Sequence, residues 1–352
     1  MTHPGSLTSI GEIKHQVTPG FLSASVSVAY AKNMLDVHRL RLLLEFEQRG
    51  TIAATAAALG YTPSAVSQQL AALEREAGTA LLDRSARRAE LTDAGRRLAD
   101  HAERILAMVE EAETDLSARA GEPAGRVVAT AFPSAAVAFA PALARSLRAH
   151  PGLTLVLRQT PAREGLGQVR SGGVDVAIVD DWTGRLADDI EAGGSLLTCF
   201  HLVRDHLVLV VPRSHRAADP GQPVDLRALR HEPWLAAPAS EPSRQAVDRL
   251  LAAVGVVPPV LSEFEGMFTI VSLVARGIGI AILPRLVIAG ERRVAVRDLP
   301  HGLDLARDIY AVTRTASVRR PSVAVIVSAL RAAARALPTR APQASPPAAS
   351  LS

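Results

Sequence analysis

A chain of 352 residues, 48% apolar and 21% charged, has the composition of a globular protein with more than one domain, and it holds no apolar run near the roughly 20 residues that a membrane helix needs. Its single cysteine, Cys199, excludes an intramolecular disulfide and a cysteine-rich metal site, and so points to a reducing compartment. The net charge of +4 hints at nucleic acid, but residues 34–120 carry 11 arginines against 14 acids while residues 121–352 carry 26 against 20, so any basic surface must be local.

Residues 1–33 have scattered Gly, Pro and Ser and no sustained period, and read as a disordered or mis-started extension. Phe21–Ala31 imitates a signal peptide, but the composition changes at Met34 and a compact helical pattern follows at once. Asp36 to Arg49 is an amphipathic helix with Val37, Leu40, Leu43, Leu44 and Phe46 on its apolar side, closed by Gly50. Thr51 caps a short alanine-rich helix, Ile52 to Leu59, and Gly60-Tyr61 is a tight turn. Thr62 as N-cap and Pro63 at the first helical position start a third helix, which runs to about Ala77 and stops at Gly78. Val66, Leu70, Leu73 and Ala77 share one face, which is core. The opposite face carries Ser64, Ser67 and Gln68, short neutral hydrogen-bonding groups suited to base edges and phosphates in a major groove; an ordinary solvated face is the alternative. Three helices with a glycine turn before the third form a helix-turn-helix. Leu81-Leu82 and Ala89-Glu90-Leu91 then bracket a two-stranded wing in which Arg84, Arg87 and Arg88 cluster.

The run from about residue 42 to residue 95 combines AVSQQL and a following LE with LLDR and LTDAG downstream, and on these residues the chain resembles the LysR-type transcriptional regulators. The resemblance implies a winged helix-turn-helix over 35–92, a dimerising linker helix over 93–121, and an effector domain of the periplasmic-binding-protein type over 122–337. It also matches Arg84 to the arginine of the LLDR motif and Arg87 to a wing arginine that reaches towards the minor groove, where it would sense groove width and phosphate potential. Thr62, Pro63, Ser64, Ser67, Gln68, Arg84, Arg87 and Arg88 are the expected DNA contacts. Gln68 stands where many relatives have Arg, so no base preference carries over there.

From Thr92 or Asp93 a long helix runs to about Arg119. Leu98, Ala102, Ile105, Val109, Ala112 and Leu116 form a narrow heptad seam suited to a partner helix, with packing on its own domain as the alternative. The expectation is a homodimer or homotetramer on double-stranded DNA, with recognition helices on half-sites about a turn or more apart.

After Gly121-Glu122-Pro123 the rhythm becomes strand, turn, helix, repeated, which predicts a parallel sheet covered by helices. Strands are expected at 127–131, 153–159, 174–179, 206–211, 260–264, 278–283 and 305–313, with helices after Ser134 and over 161–172, 242–254, 266–276 and 321–337. The fold class is therefore an all-α winged helix-turn-helix followed by a two-lobed Rossmann-like α/β domain, with lobe I at about 122–202 and 298–337 and lobe II at about 203–297. Residues 338–352 read as a disordered tail.

Ligands of open α/β sheets sit at strand carboxyl ends. The turns facing such a cleft carry Phe132, Ser134, Thr160, Ser240 and Met267, and the resemblance implies that they line the effector site; each serine is as readily a plain helix cap. An organic anion or an amino-acid-like metabolite is the expected effector, although Glu241 would oppose an anion if it faced inward. No Gly-x-Ser-x-Gly or Walker loop occurs; His201 and His206 lack helical metal-ligand spacing; Gly277-Ile-Gly-Ile precedes a strand and lacks a third glycine. A cytoplasmic, nucleoid-associated regulator without enzymatic activity, metal or cofactor is expected, off the membrane, and meeting RNA polymerase if it activates. The alternative is a solute-binding protein whose N-terminal helices serve assembly.

Overall fold

The computed structural model describes residues 34–83, 89–120, 123–192, 196–258, 261–300, 302–303 and 305–337. The proposed extension 1–33, the proposed tail 338–352 and the wing arginines Arg84, Arg87 and Arg88 lie outside the described residues.

Local chemistry fixes the N-terminal helices. Helix α1 (Val37–Arg49) starts where Asp36 accepts the Arg39 N–H at 3.1 Å and ends at Gly50 with φ 68°. Helix α2 (Ile52–Leu59) starts where Thr51 accepts the Ala54 N–H, and helix α3 (Pro63–Ala77) where Thr62 accepts that of Ala65. Strands β1 (Leu82–Asp83) and β2 (Glu90–Leu91) pair antiparallel, and helix α4 (Asp93–Ala120) follows. Leu40, Leu43, Phe46, Val66, Leu70, Leu73, Leu81 and Ala102 are all buried in one core. Each such leucine contributes roughly 1.5–3 kcal/mol on leaving water.

Beyond α4 come β3 (Gly125–Ala131), α5 (Pro133–Arg148), β4 (Leu153–Gln159), α6 (Ala162–Arg170), β5 (Val176–Asp181), α7 (Leu186–Ala192) and β6 (Leu197–Pro212), followed by β7 (Trp234–Ala236), α8 (Pro242–Ala253), β8 (Leu261–Glu263), α9 (Met267–Val274), β9 (Ala281–Pro284), β10 (Val294–Asp298), β11 (Ala306–Arg314) and α10 (Pro321–Ala336). Strand order is β10-β6-β11-β5-β3-β4, with β9 also on β6. The expected parallel arrangement holds for β3 with β4 and β5, where α5 and α6 supply the crossovers, and for β7 with β8. It fails for β6, β9, β10 and β11, which pair antiparallel. The strand expected over 206–211 is the second half of β6, a 16-residue strand that joins the lobes: its first half pairs with β11, its second with β9 and β10.

Gly279, in the Gly277-Ile-Gly-Ile run, is a packing glycine. A Cβ there would lie 2.3 Å from the Pro233 carbonyl oxygen, where the chain bridges to β7. Gly279→Ala is expected to cost on the order of 1–3 kcal/mol, the usual penalty of overpacking, read as a lower urea midpoint with an unchanged slope.

Candidate nucleic-acid interface and effector cleft

Helix α3 has one locked face and one open face. Val66, Leu70 and Leu73 are buried, Thr62, Pro63, Ser64 and Gln68 are exposed, and Ser67 is half-buried at the edge. The Thr62 and Ser64 hydroxyls lie 3.0 Å apart, tying the front of the helix together. Gln69 is held from behind by the Arg39 Nε at 2.9 Å, and Arg39 also pairs with Glu76, so α1 clamps the far side of α3. The Glu74 carboxylate accepts the Leu81 and Leu82 N–H groups at 3.0 Å, fixing the turn into the wing. Tyr61, 46% exposed, stands edge-on to His38 beside the same open face; sequence reading passed over this pair.

The heptad seam divides in two. Ala102 is fully buried in its own domain, and Leu98 and Ile105 are half-buried against the same core, because α1 packs across the first turns of α4. The assignment of Ala102 to a partner helix is therefore corrected to intradomain packing, while Leu98 and Ile105 keep part of their surface outside that core. Farther along, Val109 is 37% exposed and Met108 and Leu116 are both 70% exposed.

Helix α1 also seats on lobe I. Glu45, 1% exposed, accepts from the Arg49 Nε at 3.0 Å and from the Ser171 hydroxyl at 2.7 Å, and Arg49 reaches Glu164 at 3.0 Å. Glycine at 173 permits the approach, since a Cβ there would lie 2.7 Å from the Glu45 Oε1.

Where β6 passes between the lobes, the register sets Arg307 of β11 opposite Asp205. Arg307 is 1% exposed; its Nε and Nη2 donate to Asp205 at 3.1 and 2.9 Å, its Nη1 to Asp180 at 2.9 Å, and its Nη2 also to the Ser134 hydroxyl at 2.9 Å. The guanidinium lies over the rings of Phe132 and Trp182, 4.8 and 5.5 Å from their centroids. Burial pushes the Asp205 carboxyl above its ordinary value, while Arg307 and the Leu286 N–H pull it back. Phe132 and Ser134 thus meet, but around a buried ion cluster.

Beside this cluster is a cavity of about 320 Å³, lined by Trp182, Leu207, Trp234, Ser243, Leu251 and Met267 among others. Ser240 is exposed and does not line it; Ser243 does. Thr160 is buried at the end of β4, away from this cavity, its N–H donating to the Ala131 carbonyl at 3.0 Å. Among the described residues no helix is long and apolar enough to cross a membrane.

Comparison with known proteins agrees with this architecture. Residues 37–96 match the bacterial regulatory helix-turn-helix protein, lysR family, and residues 120–335 match the LysR substrate binding domain. An uncharacterized HTH-type transcriptional regulator of Mycobacterium tuberculosis is 30% identical over 288 residues, which cover 77% of this chain and 88% of the relative. The probable HTH-type transcriptional regulator LrrA of Synechococcus elongatus is 29% identical over 299 residues, 84% of this chain and 97% of its own. A full-length OxyR variant of Pseudomonas aeruginosa shares the fold at a TM-score of 0.60 and 17% identity, with 85% of this chain and 98% of that chain covered. The matched DNA-binding and ligand-binding regions together span nearly all of the described residues, and the chain belongs to the LysR-type transcriptional regulators.

Proposed function

We propose that this regulator reads double-stranded DNA with the open face of α3, through Ser64, Ser67 and Gln68, with Thr62 and Pro63 fixing the entry of the helix and Arg84, Arg87 and Arg88 of the wing alongside. The observation that carries the reading is the division of α3 into a locked apolar face and an exposed, capped polar front. Two chains pair through the lower half of α4, around Val109 and Leu116, and so set two copies of α3 on one DNA. A small molecule in the interlobe cleft shifts lobe I against lobe II, and the Glu45–Ser171 seat passes that shift to α1. An activator of this kind would also meet RNA polymerase, in a cytoplasmic, nucleoid-associated setting.

A gel shift on the DNA upstream of its own gene tests the reading. Ser67→Ala or Gln68→Ala is expected to weaken specific binding by roughly 1–3 kcal/mol, about 5- to 150-fold, if either side chain meets a base edge. Wild-type affinity in both variants would remove α3 from the interface.

A further inference from the structure

In place of the organic anion expected from the sequence, we propose that the cavity between β7, β9 and α8 takes a neutral, largely apolar ring compound with one polar group seated on Ser243; this rests on the effector reading above. Size is the first argument. A cavity of about 150 Å³ lined by aliphatic and aromatic side chains holds one benzene, and about 320 Å³ leaves room for a ring with a short chain or a second ring.

Chemistry of the walls is the second. Trp182, Trp234, Leu207, Leu251, Met267 and Ile282 line the cavity. Both indole N–H groups are already used, Trp182 donating to Asp180 at 2.9 Å and Trp234 to the Leu229 carbonyl at 3.0 Å, so the two tryptophans offer ring surface only.

Charge is the third. The one cation in the lining, Arg244, is already paired through two of its three nitrogens: its Nε donates to both Asp248 oxygens at 2.9 Å, and its Nη1 to Glu263 at 2.8 Å and the Ala237 carbonyl at 3.0 Å. Arg307 behind Trp182 is likewise committed to Asp180 and Asp205. Asp248 in the lining and Glu263 beside it already pair with the Arg244 guanidinium, so a carboxylate ligand would have to compete with both of them for it. Ser243, 8% exposed and in the lining, has a hydroxyl without a hydrogen-bond partner among the described residues, which is free to meet a ligand hydroxyl or carbonyl.

The chain's two tryptophans both line this cavity, so intrinsic fluorescence of the full-length protein reports on it directly. The matched probes are 4-phenylbutanol and 4-phenylbutyrate, titrated by fluorescence and calorimetry. The alcohol is expected to bind about tenfold or more tightly than the acid; Ser243→Ala should weaken the alcohol about 2- to 12-fold, and Val247→Phe, which fills the cavity, should abolish both signals. Tighter binding of the acid, or no binding of either probe, overturns the proposal; Ser243→Ala alone keeps it testable if Val247→Phe does not fold. Binding of the alcohol with no change in gel-shift affinity would uphold the chemistry of the cavity while overturning its role as the effector site.

Discussion

Replacing Arg307 with methionine is expected to destabilise the effector domain by about 3–5 kcal/mol, the cost of leaving buried charge without its partner. Asp205 is 5% exposed and keeps only the Leu286 N–H, Asp180 keeps the Trp182 indole, and the Ser134 hydroxyl loses its donor. The loss should depend on pH. Burial already pushes the Asp205 carboxyl upward, and without the guanidinium it rises further. The folded state then holds more protons than the unfolded chain through the carboxylate range and above, so stability falls as pH rises. Urea unfolding of Arg307→Met should therefore show a smaller deficit at about pH 5 than at about pH 8, and adding Asp205→Asn should recover part of it at the higher pH. A loss independent of pH and unrelieved by Asp205→Asn would mean that the cluster acts by packing rather than by charge.

A second large effect separates the two halves of the linker helix. Ala102→Glu places a carboxylate at a position with 0% exposure, in the core that also holds Leu40, Leu43 and Leu73, and should cost several kcal/mol, enough to unfold the DNA-binding domain. Leu116→Glu, at a position 70% exposed, should leave the helical signal and melting of the chain intact while dissociating the dimer in sedimentation. Equal loss of fold in both variants would show that the lower half of α4 is also needed within the chain; an intact dimer in Leu116→Glu would move the pairing surface elsewhere.

The DNA-binding half was legible because local signals decide it. Thr51 and Thr62 as caps, Pro63 at a helix start and the glycines at 50, 60 and 78 act within one turn of their own positions, and the structure follows each of them. The heptad seam was misread at Ala102 because periodicity names a buried stripe without naming what buries it: Ala102 is buried in its own domain before any partner can reach it. The effector domain was legible as elements and not as a site. Strand pairing of β6 with β11 is a contact between residues about 100 positions apart, and only that register brings Arg307 to Asp205. Ser134 and Ser240 stood at the expected turns, but a turn position does not reveal that one hydroxyl serves a buried arginine and the other faces solvent. Ser243, the second residue of α8, carries no distinguishing signal, because any serine in a helix's first turn reads as a cap.

On the function proposed above, two copies of α3 enter the major groove of one DNA, held apart by the linker helices. An iron chelate that cleaves DNA, tethered to Gln68→Cys in a Cys199→Ser background, measures this directly on the DNA upstream of the gene. Two cleavage clusters are expected, centred one or more helical turns of about 10.5 base pairs apart, with the strand offset of a major-groove source. Leu116→Glu in the same background should reduce the two clusters to one or none. Cleavage spread evenly along the DNA, or a pattern with the strand offset of the minor groove, would contradict it.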